Sequence, residues 1–234
     1  MSADNHTPNV PYENIDYNGR FTFIRVRFEP TFWSLGNHYW GLDLKWNHDY
    51  PRGDLHFAKM VSELTYVDVN TDTTNIIGLD DPEIFKYPWI YLCEVGFWNP
   101  TEEEVQNFRE YLLKGGFVVI DDFFWGHWMN FEAQIRRVFP DAQLMEVPES
   151  HPVFDSFFQT EPLSYINPNY PEIQPAYYGI FEDNDPEKRL MVIVNYNSDI
   201  GEFWEWSDTG WVPIDLSNDA YKLGIDYVIY GMTH

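Results

Sequence analysis

An α/β fold with a mostly parallel central sheet is what this sequence predicts. Two runs that are apolar up to an acidic end, "YPWIYLCEV" (87–95) and "FVVID" (117–121), have the length of strands buried on both faces. Each is followed by an amphipathic helical stretch, "NPTEEEVQNFREYLLKGG" and then "WMNFEAQIRRVF". The connections between them are short. Strand, helix, strand, helix at that spacing is the pattern of a parallel sheet covered by helices on both sides.

The elements follow in order. Residues 1–20 form a polar tail, and its Asn5-His6-Thr7 sequon is read as chance. "FTFIRVRFE" alternates as a strand and puts Arg25 and Arg27 on one face, which either lines a cleft or meets solvent. "PTFWSLGNHYWGLDLKWNHDYPRGD" is a long aromatic loop with turn residues. The spacing of Leu55, Met60, Val61 and Leu64 predicts a helix over 52–64, with Asp54 near its start as a cap. Asp68, Asn70 and Asp72 open like a calcium-binding loop. Thr73 and Leu79 stand where that loop needs Gly and Glu, so the segment is read as extended with a polar turn. Thr101 and Glu104 form a capping box, Gly115 and Gly116 stop that helix, and Pro140 stops the next. "AYYGIFED" and "RLMVIVNYN" flank "DNDPEK" as a hairpin. A final helix starts at Ser217 or Asn218. Without a repeat, a low-complexity linker or a break in composition, residues 21–234 read as a single domain.

Composition narrows the partners. The formal net charge is -24, which speaks against nucleic acid and against an anionic membrane surface. No run reaches the roughly 18–20 apolar residues of a transmembrane segment. The single cysteine, Cys93, sits in an apolar run as a buried, inert thiol. Aromatics at 19% suit either a core of large rings or a sugar-stacking cleft.

Ligands of open parallel sheets bind outside the carboxyl ends of the strands. Asp121 and Asp122 lie at one such end and Glu94 at the preceding one. Neighbouring carboxylates there raise one another's pKa or recruit a cation, which suits acid–base work or oxygen-ligated Ca²⁺ or Mg²⁺. The structural alternative has one aspartate capping a helix and the other forming a turn. Downstream, "NYNSDIGEFWEW" sets Asn195 and Asp199 beside Trp204 and Trp206, a combination that sugar sites and packing plugs both use. Trp125 and His127 follow the Asp-Asp turn directly. His38, His48 and His56 lack the helical spacing of a zinc protease, and no serine-hydrolase elbow, phosphate loop or dinucleotide fingerprint occurs.

Taken together, "FTFIRVRF", "DYPRGD", "YLCEVG", "YLLKGGFVVIDDFFW", "NFEAQIRRVFP", "HPVF", "YYGIF", "NSDIGEFWEW" and "AYKLGIDYVIYGMTH" resemble a bacterial family, the domain of unknown function four-one-five-nine. The resemblance runs from Phe21 to His234. It implies a class I glutamine amidotransferase-like fold, a flavodoxin-like three-layer sandwich, and a periplasmic or otherwise exported protein. A cytoplasmic location is the alternative, since the opening lacks a signal-peptide pattern. Where the amidotransferase pattern has a nucleophilic cysteine in a glycine-flanked elbow, this strand ends in Asp121 and Asp122.

Three readings follow. The first is an envelope module binding a small molecule, a glycan or a protein, with Arg25, Arg27, Glu94, Asp121 and Asp122 at a cleft floor and Trp125, Trp204 and Trp206 at its rim. The second is a carboxylate-dependent hydrolase of a glycan or similar polar substrate, with or without the assistance of a metal. There Asp121 or Asp122 acts as general base and Glu94 as its partner or as a metal ligand. The third is a scaffold whose carboxylates serve separate caps.

Overall fold

The computed structural model describes residues 13–30, 43–162 and 172–234. The first twelve residues of the predicted tail and residues 31–42 of the aromatic loop lie outside the described residues. The chain runs β1 (Ile24–Arg27), α1 (Arg52–Leu64), β2 (Asn75–Gly78), β3 (Trp89–Cys93), α2 (Glu102–Leu113), β4 (Phe117–Asp121) and α3 (His127–Val138). It continues through β5 (Met145–Glu146), β6 (Ala176–Phe181), β7 (Leu190–Tyr196), α4 (Ile200–Glu205) and α5 (Ile214–Thr233). The seven strands form one sheet in the order β2-β1-β3-β4-β7-β6-β5. The first five in that order run parallel, β6 returns antiparallel to β7, and β5 is antiparallel to β6.

Alternation along the buried strands sorts two cores. Trp89, Tyr91, Cys93, Phe117 and Val119 face α1, α4 and α5, while Ile90, Leu92, Val118 and Ile120 face α2 and α3. Both faces of the sheet are thereby covered, as a parallel sheet requires. The capping box of α2 forms as predicted, with Thr101 accepting from the Glu104 backbone and Glu104 accepting in return. Cys93 is free and buried.

The structure differs from expectation at several places. Residues 14 and 15 are docked, not a free tail: Asn14 Nδ2 donates to Ile76 O (2.7 Å) and Asn14 Oδ1 accepts from Ile76 N (2.8 Å). That pairing covers an otherwise open sheet edge at β2. Helix α5 begins at Ile214, directly after Pro213, because proline fits just outside a helix start as well as Ser217 would. Asp54 caps nothing. It lies buried inside α1 against Arg25. The short strand β5 and helix α4 were not expected. Among the described residues no helix is long and apolar enough to cross a membrane.

The topology fixes where a ligand can sit. From β1 the chain crosses by α1 to β2 on one side, and from β3 it crosses by α2 to β4 on the other. The loops leaving β1 and β3 therefore diverge and open a crevice at their carboxyl ends, the switch point of a doubly wound sheet.

Candidate functional site at the strand ends

Strands β3 and β4 pair in register to their last residues, Cys93 with Asp121. The chain then breaks away abruptly. Glu94 (φ 51°) and Asp122 (φ 52°) adopt left-handed backbone, as do Asn197 after β7 (φ 58°) and Lys45 (φ 65°) and Asp49 (φ 61°) after β1. Non-glycine residues there are held at a cost that surrounding bonds must offset, and such residues concentrate at functional sites. The bonds are present: Glu94 N donates to Asp121 O, Asp122 N to Ser198 O and Asn197 N to Phe123 O, at 3.0–3.2 Å.

This departure sends the paired aspartates to different places. The Asp121 side chain points into the core and takes four donors: Tyr91 Oη (2.8 Å), Asn195 Nδ2 (3.1 Å), Ile200 N (2.9 Å) and Gly201 N (3.3 Å). It fastens the first turn of α4 to the sheet, and Asn195 is itself held by Tyr227 Oη (2.9 Å). Burial pushes Asp121 up to about 7 against the pull of its donors. Arg25 is also interior. Its guanidinium pairs with Asp54, bonds to Trp46 O and Cys93 Sγ, and lies 5.0 Å from the Tyr91 ring centroid.

Asp122 points the other way, into the crevice. His48 Nδ1 lies 3.1 Å from Glu94 Oε1 and 3.4 Å from Asp122 Oδ2, while His48 Nε2 lies 3.0 Å from Asp43 Oδ1. Lys45 Nζ pairs with Asp43 (2.5 Å) and approaches Glu94 (3.7 Å). Beyond Asp122, Asp49 and Asp199 bring ligand atoms within 4.8 Å of it and of one another, and Asp49 does the same with Glu202 and Glu205. One oxygen, Asp49 Oδ2, is sealed from solvent with no hydrogen-bond partner among the described residues. A buried carboxylate oxygen in that state is completed by a proton, a water or a cation.

The charges act on one another. Burial lowers His48, but Asp122, Glu94 and Asp43 outweigh it and push the imidazole up to about 9. Burial, then Asp122, push Glu94 up to about 7 against His48 and Lys45. Burial and Asp122 hold Asp49 and Asp199 well above the carboxylate range. Burial would also raise Asp43, yet Lys45 and His48 bring it down.

The remaining predicted residues scatter. Arg27 is exposed on the strand, away from Arg25's buried pair. Trp204 is no rim residue. It is fully buried and stacks on Phe57 at 4.2 Å, because the short helix α4 turns it inward. Trp206 is half-buried beneath Arg52, and Trp125 is 52% exposed next to the crevice. His127 packs over Gly96 and Phe97, with Nδ1 shielded, unpartnered among the described residues and 4.0 Å from Glu94 Oε2. Asp199 caps α4 through Glu202 N (2.9 Å).

Sequence reasoning set His48 aside with the zinc-protease spacing and did not place Asp43, Asp49, Glu202 or Glu205 at the strand-end site. The available signal was "DLKWNHD", since in a parallel sheet the loop leaving β1 must open on the same edge as those leaving β3 and β4. The model of one family, described as Domain of unknown function (DUF4159), matches residues 23–232. The chain belongs to that family. DUF4159 thus spans the whole sheet and every residue of the crevice described above. No curated protein matches the chain.

Proposed function

We propose that this DUF4159 chain is a cation-dependent ligand-binding module, with a divalent cation held by His48 Nδ1, Glu94 and Asp122 at the switch point. The observation that carries this reading is the orientation of His48. Its Nε2 faces the Asp43 carboxylate, which leaves Nδ1 to Glu94 and Asp122. Metal-ligating histidines characteristically donate their other ring N–H to a carboxylate in this way. The separations of 3.1 and 3.4 Å also match those between adjacent ligands of a cation bound at about 2.0–2.1 Å. His127, whose Nδ1 lies 4.0 Å from Glu94 Oε2, and the exposed Trp125, three residues after Asp122, would stand beside a polar ligand on the ion. The amidotransferase-like resemblance belongs to this reading in fold alone: the doubly wound strand order supports it, while carboxylates occupy the strand ends.

Thermal unfolding tests it. A cation at a hundred times its Kd stabilises a folded protein by about 2.7 kcal/mol, or roughly 5–10 °C for a chain this long. Ca²⁺, Mg²⁺ or Mn²⁺ is expected to raise the wild-type melting temperature over EDTA and to leave Asp122→Asn unmoved. No shift with any cation, or an equal shift in the variant, overturns the reading.

A second reading, hydrolysis without a cation, is favoured by Glu94. A carboxyl near 7 beside an imidazolium at 3.1 Å is a base and acid poised for work at neutral pH. Asp121 has no part in it, since its oxygens already accept four donors. Turnover of a polar ester, glycoside or phosphoester that persists in EDTA and vanishes in Glu94→Gln would select this reading.

A further inference from the structure

We infer that the crevice holds two cations with Asp122 as the carboxylate shared between them, an inference that rests on the cation-binding reading above. The first position is the His48–Glu94–Asp122 set. The second is formed by Asp49, Asp122 and Asp199.

Three observations support the second position. Its donor atoms lie within 4.8 Å of one another. A cation with oxygen ligands at about 2.3–2.6 Å sets opposite ligands about 4.6–5.2 Å apart and neighbouring ones closer, so no rearrangement is needed. Asp49 supplies the independent evidence, because its Oδ2 is sealed from solvent without a donor among the described residues, while its carboxyl lies within 4.8 Å of ligand atoms of Asp122 and Asp199. Left alone, that oxygen bears the full cost of desolvation. The backbone also makes room for it. A Cβ on Gly201 would meet Asp49 Oδ2 at 2.4 Å, so only glycine lets the carboxylate lie against the first turn of α4.

Charge favours two ions over one. Glu94, Asp122, Asp49 and Asp199 carry four negative charges when ionised, and Asp43 is already paired with Lys45. One divalent cation offsets half of the charge on these four carboxylates and two offset all of it, with Glu202 and Glu205 further out beside Asp49. Asp122 stands between the sets, with Oδ2 towards His48, and a carboxylate in that place offers one oxygen to each ion. The first position mixes imidazole with carboxylates and the second is all oxygen. Mn²⁺ suits carboxylate donors, which both positions supply.

Titration with Mn²⁺, followed by metal analysis and electron paramagnetic resonance, tests the inference on the intact chain. The expected wild type binds two Mn²⁺ per chain with an exchange-coupled spectrum. Asp199→Asn is expected to bind one, with the uncoupled six-line pattern. Asparagine caps helices as well as aspartate, so that variant keeps the cap of α4. If it fails to fold, Asp49→Asn reads the same position.

A wild-type stoichiometry of one overturns the second cation and leaves the binding reading standing, while none overturns both. Two uncoupled ions refute the shared carboxylate. Loss of the second ion in Glu202→Gln/Glu205→Gln but not in Asp199→Asn refutes its placement.

Discussion

Asp43 touches no cation in the proposed site, yet it decides which nitrogen of His48 faces inward. It accepts at Nε2 and is held by Lys45, which keeps it ionised. Asp43→Asn is therefore expected to weaken cation binding by roughly 10–100-fold while the fold stays intact. Calorimetric titration with an unchanged isotherm would remove Asp43 from the site. In the core, the Arg25–Asp54 pair shows the opposite role for charge. Both side chains are at most 1% exposed, so removing one strands the other in the core. Asp54→Ala is expected to cost about 3–5 kcal/mol in urea unfolding, and a change below 1 kcal/mol would show that Arg25 finds water instead. Alternation correctly put Arg25 on a defined face of β1. It could not reveal that α1 would bring a carboxylate onto that face, because Asp54 is 29 residues further along the chain.

At the scale of elements, legibility followed length and periodicity. Helices α1, α2 and α3 and strands β3 and β4 were readable because each repeats its apolar spacing over several turns or fills a whole strand. Helix α4 was not, since six residues are too few for a period to emerge and its tryptophans resemble an exposed loop. Misreading it displaced Trp204 to a rim and hid why Asp121 is buried. The carboxylates of β3 and β4 were legible as strand-end residues, but their separation was not. It depends on left-handed turns at Glu94 and Asp122, which polar side chains do not announce. Helix α4 also links stability to the site. Gly201→Ala would place a methyl 2.4 Å from Asp49 Oδ2 and 2.9 Å from Tyr91 Oη. A loss of about 1–3 kcal/mol is expected, together with weaker cation binding as Asp49 is displaced. Chemical denaturation and a cation titration read the two effects, and neither should appear if α4 simply shifts outward.

Across the whole molecule, protons and cations compete for one anionic space. His48 is raised to about 9, so its stabilisation is complete below the ordinary imidazole value near 6.5 and disappears as pH rises through 9. Glu94 and Asp121 are raised to about 7, so between about 4 and 7 the folded state binds protons more tightly than the unfolded one. Their effect has the same sign: stability declines as pH rises. Asp43, lowered by Lys45 and His48, opposes this only on the acid side, where its contribution is lost as pH falls through its folded value. Without cations the protein should thus melt on the order of 5–10 °C lower at pH 9 than at pH 5.5. Part of that fall comes from general repulsion, since the net charge is -24. Salt separates the two contributions, because 0.5 M NaCl screens exposed charges far better than buried ones. The slope that survives in salt belongs to the crevice. It should shrink in His48→Gln and Glu94→Gln, and saturating Mn²⁺ should flatten it by replacing the protons. A salt-resistant slope that neither variant nor cation alters would place the titrating groups elsewhere and detach the pH response from the strand ends.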